Sequence, residues 1–98
     1  MSDSSDIQLV EKAVDTIVRY IESIDAGTSL REGLARTPER VVDSWREIFS
    51  GYSDDAADVL DSTFNAEGYD GIVLLKDIEF HSTCEHHLQP FSGSAHVA

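Results

Sequence analysis

Ile72-Val-Leu-Leu-Lys-Asp-Ile-Glu-Phe-His-Ser-Thr-Cys-Glu-His-His-Leu-Gln-Pro-Phe-Ser-Gly-Ser-Ala-His-Val-Ala98 is the stretch where the apolar period of this chain drops from helical spacing to alternation. Ile72 to Leu75 is an unbroken run of β-favouring residues, and Ile78 and Phe80 then alternate with polar neighbours, as in a half-buried strand. Phe91, Gly93, Ala95 and Val97 alternate again. The pattern predicts two neighbouring strands, with Ser82 to Pro90 as their connection and the chemically rich residues on it. Ala98 falls inside the second alternating run with no turn, cap or polar tail, and reads as a strand that has been cut.

Upstream the period is helical. Ile7, Val10, Val14, Ile17, Val18, Ile21 and Ile24 recur at steps of three and four, which predicts one helix with all seven on a buried face. Ser5 and Gln8 form a candidate capping box and Gly27 a candidate stop. A short second helix is expected from Ser29, with Glu32 three residues on, before Gly33 and Thr37-Pro38 interrupt it. In a third, Thr37 caps, Pro38 takes the first helical position, Val41, Val42, Trp45, Ile48 and Phe49 form a stripe, and Gly51 closes it. Around Ala56, Ala57, Val59 and Leu60 a short acidic helix is expected, followed by a loop rich in turn residues from Asn65 to Gly71. The segments divide as a helical region over 1–52, an acidic linker with a short helix and loop over 53–71, and a strand region over 72–98. The fold class is α+β.

Composition bounds the function. Nineteen acidic residues against seven basic give a formal charge of −12, which repels nucleic acid and anionic membranes. The start, Met1-Ser-Asp-Ser-Ser-Asp6, carries acid where a secretory signal carries base, and no apolar run reaches bilayer-spanning length, so a soluble cytoplasmic protein is expected. Only two lysines, Lys12 and Lys76, accompany the acids, a balance that also suits a high-salt cytoplasm. At 98 residues a lone domain hides a smaller share of its surface than a larger one does, and such chains lean on metal or partner subunits. Cys84 is the single cysteine, hence an apolar filler, a metal ligand or a reactive thiol, and an internal disulfide is excluded.

Cys84, Glu85, His86 and His87 place a thiolate, a carboxylate and two imidazoles within four positions, a density of metal-binding and proton-transfer groups that core packing does not need. Zinc accepts sulfur and nitrogen together, and C-x-x-H on a bent loop lets Cys84 and His87 converge while His86 points elsewhere. The competing account is a buried cysteine beside surface histidines. His81 and His96 sit within strand patterns and call for no role.

Context extends the motif. Ser82-Thr-Cys-Glu-His-His87, followed by Leu88-x-Pro-Phe91, Gly93 and Ala95-His-Val97, resembles the zinc-site segment of the zinc-dependent GTP cyclohydrolase I family. Gly33-Leu-x-x-Thr-Pro-x-Arg40-Val41, then Trp45 and Glu47-Ile-Phe-Ser-Gly-Tyr52, looks like that family's helix ahead of its catalytic domain, and Asp77-Ile78 precedes the cysteine loop at the expected distance. The likeness runs from about Leu30 to Ala98, with two separate motifs in the right order. It implies the tunnelling fold (T-fold), of which N-terminal helices and the first strands of an antiparallel sheet are present here. It also implies rings of subunits pairing into a homodecamer, with Zn2+ as cofactor and GTP as substrate. The implied reaction opens the imidazole ring of GTP, releases C8 as formate and yields 7,8-dihydroneopterin triphosphate, the entry to folate and pterin synthesis and so to one-carbon metabolism.

The resemblance assigns roles only where positions match. Cys84 and His87 become two of three zinc ligands, and His86 the catalytic histidine that gives a proton to the purine ring as it opens. Glu85 either orients His86 or a water, or is an exposed acidic loop residue. Arg40 either reaches the substrate triphosphate or is a solvated helix arginine paired with Glu39 or Asp43. The family's third ligand is a second cysteine far downstream, which this sequence does not contain, and no Lys or Arg follows Lys76. The 98-residue chain by itself is therefore expected to be inactive, and two readings follow. It is part of a complete enzyme, or it is a truncated non-catalytic product that binds enzyme subunits or metal.

Overall fold

A computed structural model describes residues 4–98, so the first three residues of the acidic start lie outside the described residues. In chain order come α1 (Ser4–Glu22), α2 (Glu32–Ala35), α3 (Thr37–Ile48), a 3-10 turn (Ser50–Ser53), α4 (Ala56–Leu60), β1 (Leu75–Thr83) and β2 (Pro90–Val97). The architecture is α+β, helices first and then a two-stranded antiparallel sheet. The chain forms two compact units, one running through Ser62 and the other Thr63–Ala98. No helix among the described residues is long and apolar enough to cross a membrane.

In the first unit α1 packs on α3. Val14 and Val42 form the buried apolar core, with Pro38 also buried at the start of α3, and fully hiding a valine is worth about 2 kcal/mol. The predicted α1 face is too wide. Ile7, Val10, Val14, Val18 and Ile24 are at least partly covered, but Ile17 and Ile21 are exposed, as is Ile48 on α3. A helix with one helical partner covers one narrow stripe, so residues at the margins of a broad apolar arc remain uncovered.

The helix ends are set differently from the sequence expectation. Ser5 lies inside α1 rather than ahead of it. At the other end, Ile24 N–H donates to the Arg19 carbonyl (2.9 Å) and Ser23 N–H to that of Tyr20 (3.4 Å). With Ser23 at φ 57°, this is a Schellman termination with serine in the left-handed position, four residues before Gly27. Arg19 ties down the segment that follows. Its Nε donates to Asp15 Oδ1 (2.6 Å), and Nη1 to the carbonyls of Asp25 (3.0 Å) and Thr28 (2.6 Å). Arg31 pairs with Glu22 in a two-pronged contact through Nη1 and Nη2.

Neither Ser29 nor Thr37 caps. Arg31 and Arg36 occupy the cap positions of α2 and α3 without side-chain capping bonds, and Thr37 Oγ1 instead donates back to the Gly33 carbonyl (3.4 Å). α2 and α3 are successive helical pieces bent at Arg36, because Pro38 has no N–H for the carbonyl four residues earlier and its ring crowds that turn. Expected α4 is present, with Asp55 Oδ1 accepting from Ala57 N–H (2.9 Å).

The second unit opens with a tight turn. Glu67 (φ 53°) and Gly68 (φ 83°) are consecutive left-handed residues, Tyr69 N–H donates to the Ala66 carbonyl (3.0 Å), and Asn65 Oδ1 accepts from Glu67 N–H (2.9 Å). Two positive φ values in the centre make it type I′, and glycine suits its second position. Ile72 to Leu74 are outside the sheet: β1 starts at Leu75, which pairs with Val97, and the three residues before it have no strand opposite them.

From Ile78↔Ala95 to Thr83↔Pro90 the ladder is regular, but a bulge lies between Leu75 and Ile78. Three steps along β1 there match two along β2, so Lys76 and Asp77 together oppose His96. The consequence is one of parity. Leu75 and Ile78 would fall on opposite faces of a regular strand, and the extra residue returns both to the side of Phe80, Phe91, Gly93, Ala95 and Val97. On that side Phe80 and Phe91 meet edge to face with centroids 6.4 Å apart. Phe80 also lies over Gly93, where an added Cβ would come within 2.7 Å of the ring.

Candidate metal and proton-transfer loop

Cys84 to Gln89 closes the hairpin beyond the Thr83↔Pro90 pair. Cys84 N–H donates to the Gln89 carbonyl and Leu88 N–H to the Cys84 carbonyl, both at 2.8 Å. The main chain of Cys84 thus anchors both sides of the loop. Leu88 takes the left-handed conformation (φ 53°) that reverses the chain after Glu85, His86 and His87. Pro90 opens β2, a place where a missing N–H is tolerated in a ladder.

The closure brings four of the sequence-derived site residues onto one short turn. Cys84 is partly covered, whereas Glu85, His86 and His87 are exposed. The rings of His86 and His87 stand nearly perpendicular (87°) with centroids 6.3 Å apart. Among the described residues no three His, Cys, Asp or Glu side chains are grouped so as to hold a metal ion. The donor chemistry of Cys84 and His87, one sulfur and one imidazole, is of the kind that suits zinc, and catalytic zinc sites usually take three protein ligands.

Arg40 belongs to the other unit, on the exposed side of α3. Neither pairing expected of it forms. Glu39 instead meets Arg36 (3.5 Å), and among the described residues Arg40 has no ion pair. His81 pairs across the ladder with Ser92. His96 Nδ1 accepts a hydrogen bond from Asp77 N–H (2.9 Å). No sequence signal marks this contact, because it depends on the bulge.

The sequence matches the family model described as GTP cyclohydrolase I over residues 10–98. It is 52% identical over 90 residues to a GTP cyclohydrolase 1 of Sinorhizobium fredii, covering 90% of this chain and 42% of that protein. A GTP cyclohydrolase 1 of Streptococcus gordonii is 47% identical over 88 residues, covering 90% and 46%. One from Brucella canis is 54% identical over 69 residues, covering 69% and 32%. The chain therefore spans less than half the length of each of these curated relatives.

Proposed function

Because the chain belongs to the GTP cyclohydrolase I family, we propose that the protein takes part in zinc-dependent hydrolytic opening of the GTP imidazole ring, giving 7,8-dihydroneopterin triphosphate and formate. The observation that supports this most is the family match running through a hairpin loop whose main-chain closure gathers Cys84, Glu85, His86 and His87.

Each side chain has a task suited to its chemistry. Cys84 and His87 are the ligands this chain offers to zinc, together with a third donor of the kind a second cysteine supplies. Bound there, the metal contributes Lewis acidity and a water that ionises near neutrality. His86, exposed and set at a right angle to His87, gives a proton to the purine ring nitrogen that leaves C8. Glu85 orients that imidazole. Arg40, exposed on α3 and without an ion pair among the described residues, meets the triphosphate, as a guanidinium can with two parallel hydrogen bonds. Ring-type self-association in the cytoplasm and entry into folate or pterin synthesis complete the proposal.

The test is made on the full-length protein with two readouts, formate release from GTP and zinc content. His86→Ala is expected to lower turnover about 10²- to 10⁴-fold with zinc retained, and Cys84→Ser to lose both zinc and turnover. Zinc lost along with activity in His86→Ala would make His86 a ligand. Absence of formate release from the zinc-loaded parent protein would remove the proposed activity itself.

A further inference from the structure

The bulge in β1 leaves Asp77 N–H out of the regular ladder, and the structure gives it an unusual acceptor. Asp77 is left-handed (φ 56°), a conformation that aspartate tolerates better than most residues. Its N–H points across the sheet to Nδ1 of His96 at 2.9 Å. We propose that His96 is a proton-sensitive clasp: its neutral ring holds the bulge between Leu75 and Ile78, and protonation releases it.

The argument is one of donor and acceptor. An imidazole nitrogen accepts a hydrogen bond only when it carries no proton, so this contact requires the neutral ring with its hydrogen on Nε2. Protonation places a second N–H at Nδ1, facing the N–H of Asp77, and two donors then oppose each other. Histidine is the side chain whose charge changes between about pH 5 and 8. The ladder sets ionisable residues of β1 beside it. Lys76 and Asp77 lie opposite His96, and Glu79, paired with Ser94, and His81, paired with Ser92, follow on the same side of the ladder. On β2 the neighbouring same-side residue, Ser94, carries no charge. The hydrogen bond from Asp77 N–H needs the ring without a proton on Nδ1.

The clasp has more at stake than one bond. The bulge returns Leu75 to the apolar side of the sheet, and loosening it frees the start of β1 to slip, which would turn Leu75 to the polar side. The regular ladder from Ile78 to Thr83, which leads into the Cys84 loop, lies beyond the bulge.

Amide exchange at Asp77 in the full-length protein, corrected for the intrinsic pH dependence of exchange, tests the clasp directly. Protection is expected to fall about three- to tenfold between about pH 8 and pH 5, the worth of one hydrogen bond. His96→Gln, whose side-chain oxygen accepts at every pH, should show no such fall, and His96→Ala should exchange rapidly at both extremes. An equal fall in either variant, or none in the parent, overturns the proposal. Independently of any substitution, nitrogen chemical shifts of labelled His96 near pH 8 should report a proton on Nε2, and a proton on Nδ1 would refute the clasp.

Discussion

The unit ending at Ser62 hides Val14 and Val42 almost completely, whereas no residue from Thr63 to Ala98 is buried, and Ile78, Thr83, Cys84, Gly93 and Ala95 are only partly covered. Each unit therefore holds its shape by a different means. Helices α1 and α3 bury apolar side chains against each other, while the hairpin is defined by its ladder, one bulge, one aromatic pair and a loop closed through the backbone. The contrast shows that the side chains richest in chemistry sit where main-chain bonding, and not side-chain packing, decides the geometry.

Substitutions should separate these two means. The largest effect is expected from Val42→Asp, which places an unpaired charge at the most hidden side chain and should cost the helical unit about 3 kcal/mol or more. Denaturant unfolding followed by helical circular dichroism measures it, and a loss below 1 kcal/mol, roughly that of an ordinary surface change, would mean that α1 and α3 do not share this core. In the hairpin, Gly93→Ala comes next. The added methyl cannot coexist with the Phe80 ring where it stands, so the ring should swing away and the Phe80–Phe91 edge contact break at a cost of about 0.5 to 1.5 kcal/mol, read as faster amide exchange along β1 and β2. Unchanged exchange would show that Phe80 does not rest on Gly93.

The left-handed non-glycine residues sharpen the comparison: Ser23 ends α1 in the first unit, and Leu88, with Glu67 and Asp77, lies in the second. Ser23→Gly at the end of α1 and Leu88→Gly in the loop should each stabilise their unit by about 1 kcal/mol by relieving the Cβ crowding of that conformation. Thermal melting of the first and amide exchange of the second provide the checks, and destabilisation at either site would mean that its side chain makes a contact worth more than the strain.

The smallest effect concerns acid. The hydrogen bond from Arg31 holds the Glu22 carboxyl below its ordinary value of 4.5, against some desolvation and with added Coulomb attraction. A carboxyl lowered in the folded state contributes stability that is present above its unfolded value and lost as pH falls through its folded one. Melting of the helical unit should therefore drop slightly more steeply below about pH 4.5 in the parent than in Arg31→Ala. Parallel curves would show that the exposed pair does nothing for stability.

How much of this was legible beforehand follows the same division. The period of three and four that revealed α1 and α3 is a direct imprint of a buried helical face, and the alternation around Ile78, Phe80 and Phe91 to Val97 an imprint of a strand. Cys84 to His87 stand out by residue type at close spacing, and the structure places them on the connection between β1 and β2. What escaped depends on partners. Ile17, Ile21 and Ile48 are as apolar as Val14, and only the number of neighbouring elements decides which are covered. Arg36 displaced Thr37 as the residue before α3 because Pro38 had already shaped that turn. The bulge, and with it the role of His96, could not be read from one strand, since register belongs to two.

The Cys84 loop closes through main-chain atoms alone, Cys84 N–H to Gln89 and Leu88 N–H to Cys84. Shape and chemistry are consequently written in separate parts of the same six-residue text: the side chains of Glu85, His86 and His87 take part in neither closing bond. The turn behaves as a socket, able to carry a different set of reactive groups while the hairpin beneath it stays as it is.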